Sequence, residues 1–369
     1  MTKDVKKTII IFFLVSISLT AQQKGIRGYG IQIGELSPGQ NNAITDVEGV
    51  TVGHYTLIQG KNIRTGVTAI LPHQNNIFED KVAAAIYIGN GFGKLVGYSQ
   101  VEELGNIETP IVLTNTLSTF TAAEALIEYT LRQSGNEKVR SVNPVVGETN
   151  DGYLNDIRGL HIKKEHIFQA IHNASSGPVK QGVVGAGTGT ICFGYKGGIG
   201  TSSRKLQEKY GGYTMGVLVQ TNFGGNLTIK GVAIKQELAK REHDNPDGSC
   251  MIVVATDAPV GSRNLKRLAK RALFGLARTG GIGSNGSGDY VIAFSTSKDI
   301  RIPYRTDTGL KESKELYNRY MTPLFDAVIE ATEEAILNSL FCAETVKDVS
   351  SLPVDQVIKI LKVHNFIKE

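Results

Sequence analysis

The chain has 369 residues, 42 of them Gly and none Trp, and a formal charge of +5 at pH 7. The basic excess is spread along the chain rather than gathered into a tail, and aromatics are few, which argues against nucleic acid as a partner. Only Cys192, Cys250 and Cys342 are present, the seven His are scattered, and no CxxC or HExxH occurs; a disulfide framework is excluded, no metal is implied and no cofactor is expected.

The first segment reads as a targeting signal rather than as part of the fold. "MTKDVKK" is a basic n-region, "TIIIFFLVSISLT" an apolar core of signal-peptide length, and "LTAQQ" offers a small-residue cleavage site after Ala21. It is too short and too N-terminal to favour a membrane span, and no Cys follows it to take a lipid anchor. Residues 1–21 are therefore expected to leave as a signal peptide, and the protein to be exported, to the periplasm, without membrane attachment. Lys3, Lys6 and Lys7 would leave with Asp4, so the formal charge falls to +3. About 348 residues remain, enough to bury a large core.

From 43 to 73, β-branched runs alternate with turns, and "AAAIYIGNGFGKLVGY" and "TPIVLTNTLS" continue the pattern as largely buried strands. "FTAAEALIEYTLRQSG" has helical period and a Gly stop. "YTMGVLVQTNFGG" is a strand reaching Asn222, and Met251 to Ala255 are another. In "SRNLKRLAKRALFGLARTG", Leu265, Leu268, Ala272 and Leu276 share one helical face, with Lys266, Arg267, Lys270 and Arg271 over the rest. "DYVIAFSTS" is a strand, and "TPLFDAVIEATEEAILNSLF" a long helix opened by Pro323. Antiparallel-looking strands with helices gathered between them give an α+β class, with sheets packed together and helices outside. The polar stretch from 235 to 248 is the best candidate for an exposed, cleavable connection.

Several stretches tempt a site reading. "GNGFGKL" has the wrong spacing for a phosphate loop and Leu95 where Ser or Thr should follow the Lys; "GAGTGT" lacks the last Gly of a dinucleotide fingerprint and its helix, so close backbone packing is the better use of these glycines. "GSNGSGDY" fails as a nucleophile elbow, yet Ser287 and Asp289 bracket one Gly before a strand, where a carboxylate could orient a hydroxyl. "NPVVGETNDGYLND" gathers Glu148, Asn150, Asp151, Tyr153, Asn155 and Asp156, either a capped loop or paired carboxylates for sugar chemistry. In "HDNPDGSCMIVVAT" a turn signal runs into Ser249 and Cys250 at a strand head. Asp247 and Gly248 suit a tight turn and Ser a strand end; alternatively Gly248–Ser249 is a self-cleavage bond, in which the hydroxyl attacks the preceding carbonyl and hydrolysis frees Ser249 as nucleophile and base together.

Six blocks occur in order: "NAITDVEGVTVGH", "PVVGETNDGYLNDI", "GAGTGTICFGYKGGIGTSSR", "GVLVQTNFG", "DGSCMIVVATDAP" and "SGDYVIAFST". Together they resemble the L-aminopeptidase/D-esterase family, which includes the β-peptidyl aminopeptidases, over most of the chain from about 32 to 342. The resemblance implies a self-processing serine aminopeptidase or amidase with a four-layer αββα fold, similar to N-terminal-nucleophile hydrolases but differently connected. It implies a large chain 22–248 and a small chain 249–369 within one domain, homo-oligomers of processed protomers, and a small peptide or amino-acid amide as substrate. By position, Ser249 matches the nucleophile, Gly248–Ser249 the cleavage site, Asn222 the oxyanion-side Asn, Ser287 and Asp289 the Ser-x-acid pair, and Glu148 the acid that meets the substrate's amino group. Asn150 stands two residues after that Glu, where members vary, and the oxyanion Tyr hydroxyl of some members is left unassigned, with Tyr153 one source for it. Cys250 is expected on the opposite strand face as a small buried hydrophobe. Two other readings stand beside this one: an acyltransferase resembling the ornithine acetyltransferases, which use Thr and work in the cytoplasm, and a non-catalytic binding protein on the same fold.

Overall fold

The structure, a computed structural model, describes residues 24–238 and 248–367. The signal segment 1–21 and residues 239–247 of the expected connection lie outside the described residues. The principal strands are Thr51–Gln59 (β1), Ile63–Leu71 (β2), Asp80–Gly91 (β3), Leu95–Val96 (β4), Ile111–Asn115 (β5), Val145–Thr149 (β6), Ile199–Lys205 (β7), Thr214–Asn222 (β8), Ser249–Thr256 (β9) and Gly288–Ser295 (β10). The principal helices are Thr119–Leu131 (α1), Lys164–His172 (α2), Ser262–Arg278 (α3), Thr322–Phe341 (α4) and Val354–Val363 (α5).

One sheet runs β1-β2-β5-β6-β4; the other runs β7-β8-β9-β10-β3, with the short strands Ile302–Pro303 and Asn106–Ile107 also pairing with β3. Most pairs are antiparallel, but β5 with β6 and β9 with β10 are parallel. This corrects the antiparallel-looking reading. A parallel pair needs a crossover, and a helix supplies each one, α1 between β5 and β6 and α3 between β9 and β10.

Side-chain alternation then builds the layers. Ile70, Ile111, Leu113 and Val145 of the first sheet meet Leu218, Met251, Val253 and Ile292 of the second. The outer face of the first sheet, through Val67, Ala69, Val112 and Val146, packs on Ala122 and Leu126 of α1 and Ile167 and Ala170 of α2. The outer face of the second, through Val217, Ile252, Val254 and Val291, packs on Leu265, Leu268 and Leu276 of α3 and Ala331 and Leu337 of α4. The order is α-β-β-α, the expected four-layer sandwich.

The helix α3 buries the stripe its sequence announced, while Arg267 and Arg271 lie over the Phe325 ring of α4 and Lys266 pairs with Glu102. On α4, even Glu334 is fully buried, ion-paired to the fully buried Arg204 at 2.8 Å, with Glu330 on the same guanidinium at 3.0 Å. The glycines of the "GGIGT" run pack backbone on backbone: a Cβ on Gly200 would lie 1.9 Å from the Ala335 carbonyl oxygen of α4. Among the described residues no helix is long and apolar enough to cross a membrane.

Candidate active site

The site forms where the ends of β6, β8, β9 and β10 converge. Antiparallel pairing sets Asn222 opposite Ser249, and parallel pairing sets Ser249 opposite Gly288. Along β9, Met251 and Val253 face the other sheet and Cys250 and Ile252 face the helices, so Ser249 takes the inter-sheet side and Cys250 the helix side. Cys250 is fully buried there, and burial holds its thiol well above its ordinary range.

Ser249 is 7% exposed at the floor of a cavity of about 700 Å³, which Asn222, Glu148, Asn150, Tyr153, Gly248 and the segment 92–94 help to line. Its hydroxyl donates to the carbonyl of Gly248 at 2.7 Å, and the same carbonyl accepts the Gly288 N–H at 2.9 Å. Any side chain at Gly248 would clash, because a Cβ would stand 2.0 Å from the Asn222 carbonyl oxygen. At Gly288 a Cβ would come within 3.1 Å of the Ser249 oxygen, so glycine leaves that hydroxyl its room.

Asn222 is clamped at both ends of its amide. Its oxygen accepts the Ile191 N–H at 3.0 Å, and its nitrogen donates to the Asn150 carbonyl at 3.0 Å, leaving a second N–H. Ser287 and Asp289 are brought together behind the nucleophile rather than in the cavity wall: the carboxylate accepts from the Ser287 hydroxyl and from the Cys250 N–H. Burial pushes Asp289 up to about 6, against those two hydrogen bonds, and its Oδ2 has no hydrogen-bond partner among the described residues.

Glu148, at the end of β6, is 3% exposed and is the acid of its cluster that lines the cavity. The rest of that cluster behaves as the capped loop: Asn155 donates to Asp151 at 2.9 Å and Asp156 pairs with His161 at 2.9 Å, which removes the paired-carboxylate reading. Tyr153 lines the cavity with its hydroxyl directed to Asp348 at 3.2 Å. Among the described residues no group of three His, Cys, Asp or Glu is placed to hold a metal ion.

The arrangement of a strand-head hydroxyl on its own preceding carbonyl, with an amide side chain beside it, suits acyl transfer. The profile of peptidase family S58 matches residues 42–352. The chain belongs to that family. Within and around S58, it is 39% identical to a β-peptidyl aminopeptidase of Sphingosinicella microcystinivorans, over 95% of this chain and 93% of that one. Among solved structures it is similar to a protein of Pyrococcus horikoshii OT3 (46% identity, TM-score 0.87, covering 93% of this chain and 99% of that chain). It is also similar to a β-aminopeptidase of Burkholderia sp. (37%, 0.85, 94% and 100%). A third structure is the L-aminopeptidase D-Ala-esterase/amidase of Ochrobactrum anthropi (34%, 0.88, 93% and 99%), described as a prototype for the serine aminopeptidases and a variant of the N-terminal-nucleophile fold. The chain is a self-processing serine aminopeptidase or amidase of the N-terminal-nucleophile type, acting on peptide or amide substrates.

Sequence reasoning missed two parts of this S58 site, the Gly288 N–H and Lys94, and one buried lysine outside the cavity lining. The Gly288 N–H on the Gly248 carbonyl carries no side-chain signal. Lys196 lies within "GAGTGTICFGYKGGIGTSSR"; fully buried, it donates to the carbonyls of Gly187 at 2.9 Å and Gly197 at 2.7 Å, and burial pulls its ammonium down to about 7. Burial pushes the nearby Asp151 carboxyl up to about 6. Lys94 closes the "GNGFGK" run, whose spacing fits no phosphate loop, and it stands in the cavity wall.

Proposed function

We propose that Ser249 is both the self-cleavage residue and the nucleophile, and that the enzyme removes one N-terminal residue at a time from small peptides, amides or esters. What carries this reading is the convergence of Ser249, Asn222 and Glu148 on one cavity, with the Ser249 hydroxyl 2.7 Å from the Gly248 carbonyl oxygen. In processing, the hydroxyl oxygen attacks the Gly248 carbonyl carbon while the Gly288 N–H holds the developing oxyanion; the C–N bond breaks as the nitrogen takes a proton, and water hydrolyses the resulting ester. The freed α-amine, with a reference pKa near about 8, then serves as base for the hydroxyl beside it.

In turnover, Glu148 holds the substrate ammonium, the Ser249 oxygen attacks the scissile carbonyl, and the second N–H of Asn222 donates to the oxyanion. The leaving amine departs with the proton and water releases the acyl group. Asp289 keeps the Ser287 hydroxyl oriented behind the new amine. Anchoring one ammonium restricts cutting to the first residue. The names borne by the relatives support β-residues among the substrates. Export to the periplasm after loss of residues 1–21, and a homo-oligomeric assembly, belong to the same proposal.

Substitution tests it. Ser249→Ala should abolish both cleavage at Gly248 and turnover of amino-acid p-nitroanilides, whereas Cys250→Ala should leave cleavage intact, because its thiol is buried on the far side of the strand. Exchanged phenotypes would transfer the nucleophile to Cys250 and end the proposal.

A further inference from the structure

The glycine-rich loop that failed as a phosphate loop is built into the active site. It leaves β3 through Asn90, whose side-chain amide donates to the Ser287 carbonyl at 2.5 Å and the Ser284 carbonyl at 3.0 Å, and through Phe92, whose N–H donates to the Ser287 carbonyl at 3.2 Å. From there it crosses to Glu148: the Lys94 N–H donates to Glu148 Oε1 at 2.9 Å and the Lys94 ammonium stands 3.4 Å from the same oxygen. Gly93 allows the approach, since a Cβ there would lie 3.0 Å from Glu148 Oε1. The ammonium is fixed from its other side by the Thr116 hydroxyl at 2.7 Å.

Two consequences follow for the charge of the site. The carboxylate assigned to the substrate's ammonium already carries a cation, so a substrate bearing only an ammonium leaves the cleft with one positive charge in excess. A substrate head that also bears a carboxylate restores an alternating set of four charges, carboxylate to ammonium and ammonium to carboxylate, at separations where each neighbour attracts. Lys94 presents the donors for such a group, with its side chain 38% exposed at the cavity wall and Glu148 buried beneath it.

We propose that Lys94 is a specificity-determining residue, and that the Lys94–Glu148 pair selects substrates whose first residue carries an ammonium and a carboxylate on the same carbon, as a β-aspartyl amide does. This rests on Ser249 as nucleophile and Glu148 as the ammonium site, and it names the substrate class of that same cleft. The chemistry at the scissile bond is unchanged; the carboxylate only binds.

The test uses two chromogenic amides that differ by one carboxylate, the β-(p-nitroanilide) of L-aspartic acid and the p-nitroanilide of β-alanine, with full-length processed enzyme. Wild type should favour the β-aspartyl compound in kcat/KM by at least about 10-fold, and Lys94→Gln should lower that ratio by roughly 10- to 150-fold, the span of a charge-assisted contact. Lys94→Arg should retain most of the ratio. Rates are normalised to the cleaved fraction on a denaturing gel, and the wild-type ratio decides alone if the Gln variant fails to fold. A wild type that hydrolyses the β-alanyl compound as well or better overturns the inference and leaves the aminopeptidase reading standing, as does an equal loss on both compounds in Lys94→Gln. Hydrolysis of neither by cleaved wild type also overturns the inference, and the p-nitroanilides of α-amino acids then decide the aminopeptidase reading separately.

Discussion

At the scale of single residues, the site divides into groups that face the cavity and groups that hold them. Asn222 can offer its second N–H in one direction because the Ile191 N–H and the Asn150 carbonyl fix the two ends of its amide. Asp289 stands one step further back, its carboxylate accepting from the Ser287 hydroxyl. Glu148 faces the cavity, and its role can be separated from that of a loop brace. Self-cleavage involves no external amine, so Glu148→Gln should still split at Gly248. A charge-assisted contact to a bound ammonium is worth on the order of 1.5–3 kcal/mol, so the same change should lower kcat/KM for amino-acid amides by roughly 10- to 150-fold and shrink the preference for free over N-acetylated substrates. Rates for both substrates on wild type and mutant decide the matter. Equal proportional loss on the two would remove Glu148 from the ammonium site, and lost processing would make it a brace.

At the scale of elements, close approach overrides local propensity where α3 and α4 cross. Gly275 sits inside α3, where replacement by Ala ordinarily gains about 1 kcal/mol of helix stability. Here a Cβ would meet the Ile329 carbonyl oxygen at 2.6 Å and Thr332 Cβ at 2.7 Å on α4. Gly275→Ala should therefore destabilise the fold, by about 1–3 kcal/mol as overpacking does, and lower the thermal midpoint of a Ser249→Ala background in which no chain is cut. A raised midpoint would mean that the helices part without cost. The helix α3 itself was legible, because its apolar stripe has helical period, and so was β9, a bounded apolar run. The parallel pairings were not, since periodicity reports which face is buried and not which strand lies alongside. Ser249, Asn222 and Glu148 were legible only as blocks in order; each alone is a common polar residue at an element end. Lys94 was illegible for a different reason: its partner is 54 residues away, and nothing local marks a Lys that folds onto a Glu.

At the scale of the whole molecule, one cut at Gly248 would divide a single domain without dividing its sheet. After cleavage β9 and β10 belong to the small chain, yet β9 remains paired with β8 and β10 with β3, both of the large chain. The helix α4 of the small chain also packs on β7 and β8 and carries Glu330 and Glu334 against Arg204 of the large chain. Separating the chains would break two strand pairings and so expose four strand edges, strip the apolar face of α4 and leave a buried guanidinium without its carboxylates, a loss comparable to unfolding the domain. The processed enzyme should therefore show two chains of roughly 25 and 13 kDa on a denaturing gel, the smaller beginning Ser-Cys-Met-Ile, by proportion of the 39.8 kDa chain after signal loss. In native gel filtration the two should co-elute at all protein concentrations and separate only as the fold melts. A single uncut chain in an active preparation would remove Ser249 as the nucleophile. Dissociation on simple dilution would instead show that the strands interlock less than their pairing requires.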